Sequence, residues 1–187
     1  MAYLTEEQLQ SMGFKSLGHE VKISDKASIY NCDQIEIGSH SRIDDFCLLS
    51  GKIKIGKYCH ITPMCMIAGG ELGVDIANFC TLAYGVKVFS QSDDYSGESM
   101  VNSLIPKKYK NEYFAKVSIE DHVIIGANAT ILPGVTLAEG SSIGAMSLVL
   151  KSTTVWGIYA GSPAKRIKER SKKILELVNQ FVSESKS

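Results

Sequence analysis

VSIEDHVIIGANATILPGVTLAEGSSIGAMSLVL, residues 117–150, decides the fold, because an aliphatic side chain returns at every sixth position. The series is Ile119, Ile125, Ile131, Leu137, Ile143 and Val149, and Val155 extends it by one. A self-similar period has to be settled before any other reading of a chain. The same phase runs upstream through Ile37, Ile43, Leu49, Ile55, Ile61 and Ile67, then Ile76, Leu82 and Val88, with Ile23 and Ile29 at its start. Each break is an insertion.

Four residues after each aliphatic comes a second register that is mostly small or β-branched. It holds Val123, Ala129, Val135, Ser141, Ser147 and Thr153 in the last block, and Ala27, Ser41, Cys47, Cys59, Cys65 and Cys80 earlier. A helix asks for apolar residues three and four apart and a strand for every second one, so a strict six suits neither. A short strand plus a turn does fit, and three such hexads close one triangular coil of an all-β solenoid. Gly38 and Gly56, and Gly126 and Gly144, stand one coil apart. Glycine there is expected to serve the dihedral angles of a tight corner.

The chain has 187 residues, 44% hydrophobic and 21% charged, which suits one domain. Twenty basic and twenty acidic side chains give a formal charge of zero, which points away from general nucleic-acid or membrane-surface binding. No apolar run of membrane-spanning length is present, and MAYLTEEQLQ lacks the basic start and apolar centre of a signal peptide, so a cytoplasmic location is expected. Four of the five cysteines lie in the small inward register. They are expected to be reduced and buried, Cys47 stacked on Cys65 and Cys59 on Cys80.

The organisation divides into residues 1–20, 21–160 and 161–187. Thr5 and Gln8 are spaced as a capping box for a short helix ending at Gly13, which would cap the open first coil. Residues 21–160 form the coil region. Within it the hexad vanishes from Ser90 to Lys116, and the aromatic residues Tyr95, Tyr109, Tyr113 and Phe114 point to an ordered arm. From residue 161 a C-terminal helix is expected, with Pro163 in its first turn and Ile167, Ile174, Val178, Phe181 and Val182 as its apolar stripe.

Three motifs carry the chemistry: GSPAKR at Gly161–Arg166, SDDYSGE at Ser92–Glu98 and RIDDFC at Arg42–Cys47. A helix start beside two cations would suit phosphates, which makes Lys165 and Arg166 candidates, with Lys151 able to join them. Ala127 and Ala145 each follow an Ile-Gly pair and line one edge, or simply make corners. The arm holds Asp93, Asp94 and Glu98 and no histidine. A carboxylate can orient an amine and stabilise its developing charge, whereas a hydroxyl acceptor needs a base, so the arm favours an amino acceptor. An acidic turn is the structural alternative. Lys107, Lys108 and Lys110 can meet a diphosphate or form a solvated run. Asp44 and Asp45 are expected to point outward at a corner, making the turn or lining the acceptor site, and His40, His60 and His122 to be surface or turn residues whose spacing does not suit a zinc site.

On these residues the chain resembles the left-handed parallel β-helix acyltransferases with hexapeptide repeats, and among them the N-acyltransferases of nucleotide-linked 4-amino-4,6-dideoxyglucose in the viosamine and anthrose pathways. The resemblance implies the left-handed twist, acetyl-CoA or another acyl-CoA as cosubstrate, no metal, and a homotrimer with coenzyme between neighbouring prisms. It also implies that Pro163, Lys165 and Arg166 belong to a closing coenzyme motif and that Ala127 and Ala145 offer backbone groups to the pantetheine arm. Asp94 would contact the sugar amine, supported by Asp93 and Glu98, with Tyr84 or Tyr95 lining the pocket. The setting implied is the supply of dTDP-linked sugars for surface polysaccharide and lipopolysaccharide. The alternatives are a sugar O-acetyltransferase with His60 or a histidine of the neighbouring chain as base, and a non-catalytic or metal-binding β-helix.

Overall fold

The computed structural model describes residues 2–184. About seven coils stack into a left-handed prism. Its first face is a parallel column of Lys22–Ile23, Arg42–Ile43, His60–Ile61, Thr81–Leu82, Ile124–Ile125, Ser142–Ile143 and Gly157–Ala160. The second face carries Ser28–Ile29, Lys87–Phe89, Thr130–Ile131 and Leu148–Val149, and the third carries Ile35–Ile37, Val117–Ile119 and Thr136–Leu137. Leu48–Ile55 and Met66–Ile76 run through the edge between the second and third faces and join them into one sheet.

The sixth-residue aliphatics fill the interior. Ile43, Leu49, Ile61, Ile67, Leu82, Val88, Ile125, Ile131 and Leu137 are fully buried. The small register is buried with them, including Cys47, Cys59, Cys65, Cys80, Ala129 and Ser141. All five cysteines are free thiols, and Cys32 alone among them is only half-buried. Cys47 pairs with Cys65 and Cys59 with Cys80: hydrogen bonding to the partner thiol and burial push Cys47 and Cys80 well above the ordinary thiol range.

Gly38, Gly56, Gly126 and Gly144 work by proximity, not by dihedral angle. A Cβ at Gly38 would sit 2.6 Å from the Gly56 carbonyl carbon, and one at Gly126 would sit 2.8 Å from that of Gly144. The left-handed corner positions are taken instead by side-chain-bearing residues, among them His40, Phe46, Tyr58, Met64, Phe79, His122, Asn128, Met146 and Trp156, with φ between 55° and 66°. The amide of each donates to a carbonyl of the preceding coil, which offsets the local strain.

One edge, between the third and first faces, turns these corners into an aromatic ladder. Ring centroids run His40 to Tyr58 at 4.6 Å, Tyr58 to Phe79 at 5.1 Å, Phe79 to His122 at 5.4 Å and His122 to Trp156 at 6.4 Å. His122 is therefore a buried ladder rung, not a surface residue.

Both ends differ in part from expectation. The N-terminal helix α1, Glu6–Ser11, has the expected box: Thr5 Oγ1 accepts from the Gln8 amide at 3.3 Å and Gln8 Oε1 from the Thr5 amide at 2.8 Å. The coils already begin at Ser16–Leu17, which pairs with Glu36–Ile37. At the other end Val155 is 53% exposed, and Trp156 is buried at the neighbouring corner against Gly140.

No helix starts at Pro163. Gly157–Ala160 and Lys165–Glu169 form an antiparallel hairpin with Pro163 in its turn, and Ile167 is an exposed strand residue. Arg170 fastens this hairpin, donating Nη1 to the carbonyls of His122 at 2.7 Å and Gly140 at 2.9 Å. The helix α2 begins only at Ile174 and is described to Glu184; it lays Phe181 edge-on against Tyr58 of the ladder. Residues 185–187 of the expected helix lie outside the described residues.

Candidate functional site

The edge between the first and second faces carries several predicted residues in one column. Coil by coil, the Met64 amide donates to the Asp45 carbonyl at 3.0 Å, Gly85 to Pro63 at 3.0 Å, Asn128 to Tyr84 at 2.8 Å and Met146 to Ala127 at 2.8 Å. Asp45, Pro63, Tyr84, Ala127 and Ala145 thus stack along one line. Tyr84 is 61% exposed, and Phe46, Met64 and Met146 stand bare beside it. The hairpin turn closes the column: the Gly161 amide donates to Ser147 Oγ at 3.2 Å and Ala164 to the Leu148 carbonyl at 2.8 Å. Pro163, Lys165 and Arg166 stand at its end. Lys165 and Arg166 lie on a strand and not at a helix start, and Arg166 pairs with Glu169, so no helix dipole assists them.

The acidic arm leaves from the opposite edge of the second face. Gln91–Ser92 pairs antiparallel with Tyr113–Phe114, the Ala115 amide donates to the Ser90 carbonyl at 2.9 Å, and Val117–Ile119 then resumes the coil against Val74–Ile76. The arm is an insertion between two faces of one unbroken coil. Inside it Asp94 accepts from the Ser96 amide at 2.8 Å and from Ser99 Oγ at 2.7 Å, and the Met100 amide donates to the Tyr109 carbonyl. The Ser96 amide, then the Ser96 and Ser99 hydroxyls, hold the Asp94 carboxyl below the usual carboxylate range. Asp93 and Glu98 flank it in sequence, and the Glu98 amide donates to Ser96 Oγ.

Tyr95 is 93% exposed. Lys107 and Lys108 begin a short 3₁₀ turn, Lys107–Tyr109, with Lys108 over the Tyr109 ring at 4.8 Å. Lys110 is withdrawn from the surface into a 3.0 Å pair with Glu112. Lys151 leaves from the same edge as the arm, with its neighbour Ser152 accepting from the Thr136 amide.

In one chain, then, the acidic arm and Lys151 stand on one edge, while Tyr84, Ala127, Ala145 and the closing hairpin stand on another. Sequence spacing alone did not show this division.

The Asp-Asp corner departs most from expectation. Asp44 is only 2% exposed, and it accepts from Arg42 Nε at 2.5 Å, Arg42 Nη2 at 3.1 Å and His60 Nε2 at 2.8 Å. Burial pushes its carboxyl upward, but the hydrogen bonds from Arg42 and His60 outweigh this and hold it below the usual range. Asp45 accepts from Ser24 Oγ at 2.5 Å. The missed signal was the coil period itself, since Arg42 and His60 are one coil apart and Asp44 follows Arg42 by two.

Among the described residues no group of three His, Cys, Asp or Glu side chains is placed to hold a metal ion, and no helix is long and apolar enough to cross a membrane.

Comparison with known proteins gives this geometry a family. Residues 116–151 match the family model "Bacterial transferase hexapeptide (six repeats)". The dTDP-4-amino-4,6-dideoxy-D-glucose acyltransferase of Escherichia coli is 47% identical over 184 residues, covering 97% of this chain and 95% of its own. The chain belongs to the hexapeptide-repeat acyltransferases.

The acyltransferase also superposes on solved structures over nearly its full length. AntD, an N-acyltransferase from Bacillus cereus, in complex with dTDP and 3-hydroxybutyryl-CoA, gives a TM-score of 0.98 at 44% identity, covering 99% of this chain and 98% of that one. A substituted form of AntD in complex with dTDP-4-amino-4,6-dideoxyglucose and coenzyme A gives 0.97 at 45% identity, covering 98% of each.

Proposed function

We propose that this acyltransferase moves an acetyl or short acyl group from acyl-CoA to the 4-amino group of dTDP-4-amino-4,6-dideoxyglucose. The observation that carries the reading is full-length similarity, in sequence and in structure, to proteins named for that acceptor and solved with both ligands. The arm adds physical support. Asp94 is ionised and held by Ser96 and Ser99, which suits orienting an amine and stabilising the positive charge that grows on it.

In the reaction the amine lone pair attacks the thioester carbonyl, the C–N bond forms, and the C–S bond breaks as the tetrahedral intermediate collapses. The ammonium proton passes to the coenzyme thiolate, directly or through water, so no strong protein acid is required. Asp93 and Glu98 keep the arm acidic, and Tyr84 and Tyr95 wall the acceptor pocket. Coenzyme lies along the stacked edge. The carbonyls of Tyr84 and Ala127 are engaged by the next coil, so amide N–H groups at Ala127 and Ala145 meet the pantetheine arm. Pro163, Lys165 and Arg166 receive the phosphates by charge and by the turn.

A site that unites the arm with this edge takes two chains, because one chain sets them on different edges. A homotrimer supplies the pairing, with Lys151, Lys107 and Lys108 coming from the arm-bearing neighbour. The bare stripe of Phe46, Met64, Tyr84 and Met146 fits covering by a second copy. Cytoplasmic supply of sugars for surface polysaccharide or lipopolysaccharide is the setting of this proposal.

The test is thiol release from acetyl-CoA or 3-hydroxybutyryl-CoA with the dTDP-amino sugar, and with its 4-hydroxy analogue as control. Asp94→Asn is expected to lower kcat at least a hundredfold with coenzyme affinity kept. Unchanged turnover in Asp94→Asn, or transfer confined to the hydroxyl analogue, would replace the proposal.

A further inference from the structure

The Asp44 cluster is not demanded by the fold. Its corner recurs in every coil, and the equivalent positions carry Ser24, Thr62, Ala83, Gly126 and Gly144. A small uncharged residue therefore closes this corner everywhere else. Burying a carboxylate costs several kcal/mol unless it is fully paired, so a lone charged corner points to a task outside packing.

What the carboxylate does is orient His60. Asp44 is ionised and can only accept, so His60 Nε2 carries the proton and donates to it at 2.8 Å. With Nε2 donating to Asp44, the acceptor position of the ring is Nδ1, on a side chain 40% exposed. Arg42 completes the clamp and lies under the Tyr3 ring at 5.6 Å, so the N-terminal segment braces it. The surroundings are electrically balanced, since Arg42 offsets Asp44 and Lys26 stands 3.8 Å from Asp45. Nothing there draws a diphosphate; an exposed lone pair draws an N–H or O–H donor.

Position supplies the ligand. This inference rests on the nucleotide-sugar reading given above. Coenzyme entering from the closing hairpin occupies the late coils, which leaves the early coils for the far end of the acceptor. His60 stands one coil before Thr81 and its neighbour Tyr84, and Asp45 two coils before Tyr84, about 5 and 10 Å along the prism at the usual strand spacing. We propose that His60, positioned by Asp44, recognises the pyrimidine base of the acceptor by accepting a hydrogen bond from its imide N–H.

The test uses the full-length protein, acetyl-CoA, the dTDP-amino sugar and the same sugar nucleotide methylated at thymine N3. Turnover of the unmethylated substrate by unmodified protein tests the nucleotide-sugar reading separately. Given that turnover, the unmodified protein is expected to show a KM at least tenfold higher for the N3-methyl substrate. His60→Phe is expected to raise the KM for the normal substrate about tenfold, to keep kcat within threefold and coenzyme affinity unchanged, and to lose discrimination against the methyl group. His60→Gln serves as the second variant where the larger ring impairs folding. Equal KM values for the two substrates in unmodified protein, retained discrimination in both variants, or a loss in kcat without KM would overturn the proposal.

Discussion

Ile125→Ala tests the prism at its centre. Ile125 is fully buried on the first face, paired in register with Leu82 in the coil before and Ile143 in the coil after. The substitution removes three carbon atoms, at about 0.8 kcal/mol each, which gives about 2.4 kcal/mol of lost transfer energy. The stacked neighbours are fixed by their own ladders and cannot collapse into the gap, so a cavity contribution brings the total to about 3–4 kcal/mol. Ile124 is the internal control. It is the adjacent residue of the same two-residue strand, points outward and is 40% exposed. Ile124→Ala is expected to stay within about 0.5 kcal/mol. The assay is urea unfolding followed by circular dichroism at one fixed protein concentration, since self-association stabilises by mass action. Equal losses at the two positions, or a loss below about 1 kcal/mol at Ile125, would refute the inward assignment of the sixth-residue register.

With a thiol reagent on native protein, Cys32 should react first and Cys47, Cys59, Cys65 and Cys80 only on unfolding; rapid native labelling of all five would contradict the stacked interior. Gly140→Ala combines a φ of +67° with a Cβ 2.5 Å from the Trp156 ring, so it should destabilise by about 2–3 kcal/mol and shift the emission of the single tryptophan. Asp44 has a folded pKa below its unfolded value of about 3.9, so its stabilising pairing is complete above about pH 4 and is lost as pH falls through the folded value. Asp44→Asn should therefore flatten the acid limb of the stability curve below pH 4; an unaltered limb would show that the pairing carries no linkage.

The interior was legible because a solenoid repeats its inward positions at fixed spacing: Ile119 through Val149 and the four stacked cysteines follow from the period alone. The capping box at Thr5 was legible because it is local. The failures occur where the period ends or where a contact crosses coils. Val155 keeps the count of six, but the chain there turns into a hairpin and the neighbouring Trp156 is buried at its corner instead. Pro163 suits a helix start and a turn equally, and pairing of Lys165–Glu169 with Gly157–Ala160 selected the turn. Asp44 read as an outward corner because its partner His60 is sixteen residues away. The spacing of Arg42 and His60 by one coil contained that contact. The aromatic ladder from His40 to Trp156 was hidden by insertions that break its spacing after Tyr58 and Phe79.

The most direct measurement is the release of free thiol from acetyl-CoA in the presence of dTDP-4-amino-4,6-dideoxyglucose, with Asp94→Asn beside the unmodified enzyme. Rapid release with the amino sugar, at least a hundredfold slower with the variant and absent with the 4-hydroxy analogue, is the predicted result. No release above hydrolysis with the amino sugar, or equal rates with and without the Asp94 carboxylate, would contradict the account.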